Sequence, residues 1–150
     1  NPPGFIDLLA PAVNQRAGVD SGGFESYVRC NMTDSWSLAG SYSLAMTQTG
    51  NLERYPENMA YLQSSHNFMC DRLQLDFIWR YNDIVRSTGV DAWNELDVRI
   101  SHRVTDNCEL TLVGRNLLDS AHLEDAPIST LRNQTTQVER GVYGMIRLTY

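Results

Sequence analysis

LQLDFIWRY, residues 73–81, decides the fold. Leu73, Leu75, Phe77, Trp79 and Tyr81 alternate with Gln74, Asp76, Ile78 and Arg80. An extended chain sends successive side chains to opposite faces, so this order builds one apolar face and one largely polar face. Wound into a helix, the same residues would mix polar and apolar groups around the cylinder. The stretch is a strand. Further on, Leu96, Val98, Ile100 and Val104 alternate with Glu95, Asp97, Arg99 and Arg103. Upstream, Trp36, Leu38, Gly40, Tyr42, Leu44 and Met46 share one face, and the small or polar Ser37, Ala39, Ser41, Ser43, Ala45 and Thr47 share the other. The chain closes on VERGVYGMIRLTY, where Val138, Arg140, Val142, Gly144, Ile146, Leu148 and Tyr150 fall on one side.

Extended over the chain, the pattern predicts an all-β fold, an antiparallel up-and-down meander of about eight strands. The strands are expected at 5–13, 17–31, 36–48, 58–68, 73–85, 92–104, 108–117 and 138–150. Pro11 interrupts the first, and proline belongs at edges or bulges. Tight polar connectors at 32–35, 69–72 and 105–107 alternate with longer ones at 49–58, 83–91 and 118–137. In an up-and-down sheet, alternate connectors emerge at opposite ends. One end is therefore expected to carry tight turns and the other long loops.

Composition narrows the class. A length of 150 residues suits one domain, and a hydrophobic fraction of 42% is ordinary for a folded chain. No apolar run approaches the roughly 20 residues of a spanning helix. No charged-then-apolar leader opens the chain, as expected of a mature or trimmed segment. A net charge of −6 with scattered basic residues argues against nucleic-acid binding. All 12 basic residues are arginine, the better residue for forked pairing with carboxylates. Cys30, Cys70 and Cys108 are odd in number and sit in no CxxC or Cys/His cluster, so neither a disulfide framework nor zinc is indicated.

Alternation alone leaves the orientation open. A soluble lipocalin-like barrel turns its apolar face inward and binds an apolar ligand there; a membrane barrel turns it outward toward lipid. A small complete eight-stranded outer-membrane barrel is a third arrangement, although Pro11 makes its first strand a poor partner for 138–150. Three features favour the outward arrangement. The polar face carries charges of both signs (Glu25, Arg29, Asp76, Arg80, Glu95, Asp97, Arg99, Arg103) able to form a ladder between strands. Loop lengths are asymmetric, as in outer-membrane barrels. The last residue is aromatic and lies on the apolar face. Trp36, Trp79, Tyr81 and Tyr150 would then lie near the two ends of a lipid-facing band.

These residues resemble the C-terminal barrel of TonB-dependent outer-membrane receptors. Gly114-Arg115-Asn116-Leu117-Leu118-Asp119, with His122 after it, is similar to that family's penultimate-strand motif. Arg140, Val142, Gly144, Ile146, Leu148 and Tyr150 are similar to its last strand. Gly23-Phe24-Glu25 resembles another family strand, with Asn14 as the asparagine of the preceding turn. Trp36-Ser37-Leu38-Ala39-Gly40-Ser41-Tyr42-Ser43 resembles a further one. Pro56-Glu57-Asn58 stands where many members have Pro-x-[HN], and the three cysteines are untypical.

The resemblance implies that 1–150 is a single segment closing a transmembrane barrel of about 22 strands, without the plug domain or the energy-coupling TonB box. It implies an outer-membrane receptor for a scarce nutrient, of siderophore-iron, cobalamin or glycan type. The ligand would contact the loops at 49–58, 83–91 and 118–137. A TonB-type coupling protein would engage parts absent here, and the outer-membrane assembly machinery would read the strand ending at Tyr150.

The residues offer no catalyst, cofactor or metal ligand set. His66, His102 and His122 are far apart, and His102 reads as an interfacial histidine near a turn. No Ser/His/Asp set has a supporting motif. Glu124 and Asp125 read as a solvated pair. Asn31-Met32-Thr33 and Asn133-Gln134-Thr135 match the N-glycosylation pattern, by chance in a bacterial outer membrane. Cys70 and Cys108 fall at tight-turn ends on the same side of the sheet, where an oxidising periplasm would permit a bridge.

Overall fold

The computed structural model describes residues 5–7, 14–16, 19–47, 55–125 and 135–150. All regular structure among them is β: β1 (Phe5–Asp7), β2 (Asn14–Arg16), β3 (Val19–Thr33), β4 (Trp36–Thr47), β5 (Asn58–Phe68), β6 (Leu73–Asn82), β7 (Trp93–Thr105), β8 (Cys108–Arg115), β9 (Ala121–Asp125), β10 (Thr136–Glu139) and β11 (Gly141–Leu148). Among the described residues no helix is long and apolar enough to cross a membrane. The main sheet runs β1-β3-β4-β5-β6-β7-β8-β11, with β2 also on β3, and β9 pairs with β10 apart from it. Every pairing is antiparallel.

The predicted meander is present, with three corrections. Of the expected strand 5–13, Phe5–Asp7 is a strand paired with β3, and 8–13, with Pro11, lie outside the described residues; a further short strand, Asn14–Arg16, also pairs with β3. Asn14 pairs with Ser21 within β2 and so stands in a strand rather than a turn. The expected loop 118–137 holds β9 and the start of β10, which pair with each other, and Arg140 separates β10 from β11, so 138–150 is not one continuous strand.

The tight connectors fall where the polar clusters placed them. The turn at 69–72 carries Met69, Cys70 and Asp71 in the left-handed region, at φ of 53°, 53° and 64°, and Arg72 N–H donates to Met69 O at 3.3 Å. Register shifts between Asn31 and Thr33 and between Arg103 and Thr105 put bulges beside the other two turns. At the opposite end, the connector after β6 folds on itself through the Val85–Val90 bridge, with Gly89 at φ +70° closing its turn.

The sheet is inside out compared with a soluble barrel. Cross-strand rows Tyr27–Ser41–Tyr61–Arg80–Glu95 and Asn31–Ser37–Ser65–Asp76–Arg99–Val113 lie on one face. Rows Val28–Gly40–Leu62–Trp79–Leu96 and Cys30–Leu38–Ser64–Phe77–Val98 lie on the other. On the first face Asp76 is 3% exposed, Asp97 8% and Ser101 5%. On the second Phe77 is 38% exposed and Ile146 71%. A curled sheet that shelters its polar face and leaves its apolar face uncovered accounts for both. The apolar-ligand barrel needs the reverse, so that alternative fails. A complete eight-stranded barrel would need its first and last strands to pair. Among the described residues β1 and β11 pair only with β3 and β8, and the sheet stays open.

Candidate functional site

The sheltered face is a hydrogen-bonded polar wall. Alternation aims Arg80 of β6 at β7, where its Nη1 lies 2.9 Å from Asp97 Oδ2 and 3.3 Å from Glu95 Oε1. Asp97 Oδ1 also accepts the Asn116 backbone N–H at 3.0 Å. Along β5, Tyr61 donates to Gln63 at 2.6 Å and Gln63 to Ser65 at 3.2 Å. Arg99 Nε donates to Ser101 at 3.1 Å, and Ser101 and Thr111 share a bond of 2.9 Å. Buried polar groups are tolerable only when paired, and these are paired with one another, some along a strand and some across strands. Toward the long-loop end the wall opens into a recess of about 430 Å³ lined by Glu25, Tyr27, Tyr61, Arg80, Asn82 and Trp93, among others.

The expected charge ladder is therefore real but differently wired. Arg80 bridges to Glu95 and Asp97 of the next strand. Asp76 is bonded by Gln74 at 3.2 Å rather than by an arginine. Arg147 reaches Glu109 at 3.9 Å and Arg72 reaches Asp106 at 3.7 Å, both near the tight turns.

The uncovered face gathers aromatic rings near its two ends. Trp36 stacks on His66 at 5.6 Å, His66 stacks on Phe68 at 6.2 Å, and Phe77 meets His66 edge-on. Ser64 Oγ links the Trp36 indole N–H, at 3.0 Å, to His66 Nε2, at 2.9 Å. Toward the other end Trp79 stacks on Tyr81 at 6.3 Å. Leu73 to Tyr81 spans about 26 Å of strand. His66 is thus a satisfied ring in an aromatic cluster, and His102 is exposed on the same face.

At the long-loop end Tyr42 donates to Asn58, and Asn58 Nδ2 donates to Asp83 Oδ2 at 2.7 Å. The Asn58 amide, followed by the Ile84 backbone N–H, holds the Asp83 carboxyl below its usual range. A depressed carboxylate contributes stability above its unfolded pKa of about 4 and loses it as pH falls through the folded value. Acidification from pH 6 to pH 3 should loosen this end of the sheet slightly. Asp83→Asn should flatten that part of the pH profile, followed by thermal melts.

The motif at 114–119 forms a knot between β8 and β9. A Cβ on Gly114 would lie 3.0 Å from the Leu117 side chain, which would have to give by a few tenths of an ångström, so glycine gives Leu117 room to fold back there. Asn116 is fully buried at φ 49°, a left-handed conformation that asparagine tolerates. Its Nδ2 donates to Val138 O at 3.2 Å, and Leu117 N–H donates to Leu96 O at 2.9 Å. Arg140 Nε donates to Asp119 O at 3.0 Å. The knot ties β7, β8 and β10 together and presents the β9–β10 hairpin.

Beyond the knot, His122 is buried and stacks on Trp93 at 4.3 Å. Neither ring nitrogen has a hydrogen-bond partner. One donor atom each from Glu95, His122 and Glu124 lie within 4.8 Å of one another. Of the three, His122 lines a recess of about 620 Å³, together with Trp93. Glu124, read from sequence as merely solvated, is exposed but belongs to this group; the Asp125 side chain lies outside the described set. No spacing rule links Trp93 and Glu95 to His122; only the motif's trailing histidine marks the place. Cys30, Cys70 and Cys108 are all free, so the bridge between Cys70 and Cys108 is absent.

No family model and no curated protein matches the sequence. Solved structures match the fold. A chain of the FpvAI–pyocin S2 complex superposes with TM-score 0.72 at 14% identity, over 87% of this chain and 19% of that one. The ferric-catecholate import receptor Fiu from E. coli K12 superposes with TM-score 0.66 at 20% identity, over 89% of this chain and 22% of that one. The chain spans about a fifth of the length of each. Both are TonB-dependent receptors, and over most of its length this chain has the fold of a segment of such a receptor.

Proposed function

We propose that the chain is the C-terminal wall of a TonB-dependent receptor in a bacterial outer membrane. The receptor imports a scarce nutrient of siderophore-iron, cobalamin or glycan type. The supporting observation is the inverted sheet: a hydrogen-bonded polar face under cover and an apolar face left open, edged by aromatic clusters. Lipid offers no partner to backbone groups, so a membrane wall must satisfy them between strands and turn its grease outward. The polar wall would line a wet bore or contact a plug, and the long-loop end would meet the nutrient. A TonB-type protein would supply energy through parts of the receptor outside this segment.

Among the described residues β11 pairs only with β8, and its other edge suits pairing with the first strand of the full barrel. Tyr150, fully exposed beyond it, is read as the mark recognised by the assembly machinery. Deleting Tyr150 from the full-length protein should reduce the folded, heat-modifiable form in the outer-membrane fraction several-fold. Unchanged assembly of the truncated protein would count against this role.

A further inference from the structure

We infer that Glu95, His122 and Glu124 form a binding site for a divalent first-row transition metal, with Zn²⁺ as the reference ion. The site goes beyond nutrient uptake and stands on local geometry, so it does not depend on the receptor reading. Glu95 comes from the polar face of β7. His122 and Glu124 are two apart on β9, so alternation sends both to the same side. The three donors already lie within 4.8 Å of one another. Bonds of about 2.0–2.2 Å to one ion need donors roughly 3.3 Å apart. Rotation of the exposed Glu124 side chain can supply much of that contraction.

The second, independent observation is the state of His122. The ring is 8% exposed, yet both nitrogens are buried and unbonded. An orphaned buried imidazole is costly. Metal-binding histidines usually bond one nitrogen to the ion and the other to a supporting group. The stack on Trp93 fixes the ring plane while leaving the in-plane lone pair free. Glu95 Oε1 is buried without a hydrogen bond, 3.3 Å from Arg80 Nη1. Arg80 is thus its ion-pair partner, Asp97 and Arg115 are further charged neighbours, and the unbonded oxygen keeps lone-pair capacity for a metal ion. An imidazole with two carboxylates suits zinc and its borderline neighbours better than calcium. The ion would pin β9, and with it the paired β10, to β7 beside the recess.

The full-length protein carrying this segment, purified in detergent and stripped with EDTA, should bind Zn²⁺ in the micromolar range by calorimetry. His122→Gln and Glu124→Gln should each weaken this binding at least about tenfold. Glu124 is exposed, so its variant should fold normally and keeps the test decisive. Cu²⁺ at the same place should quench Trp93, and the quenching should vanish in Trp93→Phe. Zn²⁺ binding unaltered by both ligand substitutions would overturn the inference, as would no binding below millimolar. So would a purely ionic role for His122, seen as pH-dependent hairpin protection insensitive to metal.

Discussion

Arginine in place of Phe77 should destabilise the folded protein by about 2–4 kcal/mol in a bilayer, the cost of a cation near mid-depth if the apolar face meets lipid as proposed. Phe77 lies in the outward row Cys30–Leu38–Ser64–Phe77–Val98, near the middle of β6 and edge-on to His66, and is 38% exposed to its surroundings. Urea unfolding of the full-length protein in lipid vesicles measures the cost. The matched control is Gln63→Arg. Gln63 follows Leu62 on β5 but points to the polar wall, where it bonds Tyr61 and Ser65. A cation there meets water and carboxylates, so its cost should be no more than the lost hydrogen bonds, about 1 kcal/mol. Were the apolar face wetted instead, Phe77→Arg would behave as an ordinary surface substitution, within about 0.5 kcal/mol.

The second large effect is expected at Asp97. Its carboxylate receives Arg80 through one oxygen and the Asn116 N–H through the other. Asp97→Ala would leave Arg80 leaning on Glu95 alone and the buried Asn116 N–H without a partner. Removing one member of a buried pair costs about 3–5 kcal/mol, and the partial exposure of Arg80 lowers the expectation to about 2–4 kcal/mol. Asp97→Asn keeps an acceptor for the Asn116 N–H and should recover part of the loss. Because the knot holds β10, the same variant should raise amide exchange in β9 and β10 before the rest of the sheet. Uniform exchange across all strands would show that the knot is not a local anchor.

Much of this architecture is legible one strand at a time. LQLDFIWRY and ELDVRI each state their two faces, and the alternation of short and long connectors states the meander. What a single strand cannot state is its partner. Arg80 finds Glu95 and Asp97, and Trp36 finds His66, through registers that the bulges at 31–33 and 103–105 help to set. A shift of one residue would reverse every face. The β9–β10 hairpin escaped because AHLED and TQVE are short and alternate weakly. The burial of His122 escaped because it depends on Trp93, supplied by another strand. The motif at 114–119 marked the right place in the sequence, but its work depends on the left-handed Asn116 and on bonds to β7 and β10 that only three dimensions reveal.

The decisive measurement is quenching by bromine carried on lipid acyl chains, applied to the full-length protein in bilayers. Trp79 and Trp93 lie on opposite faces of the sheet, one in the apolar row and one beside the polar wall. If greasy side chains face hydrocarbon, brominated lipid should quench an emission component that disappears in Trp79→Phe and persists in Trp93→Phe. Loss of the quenchable component in Trp93→Phe, with Trp79→Phe unaffected, would mean that the faces are reversed.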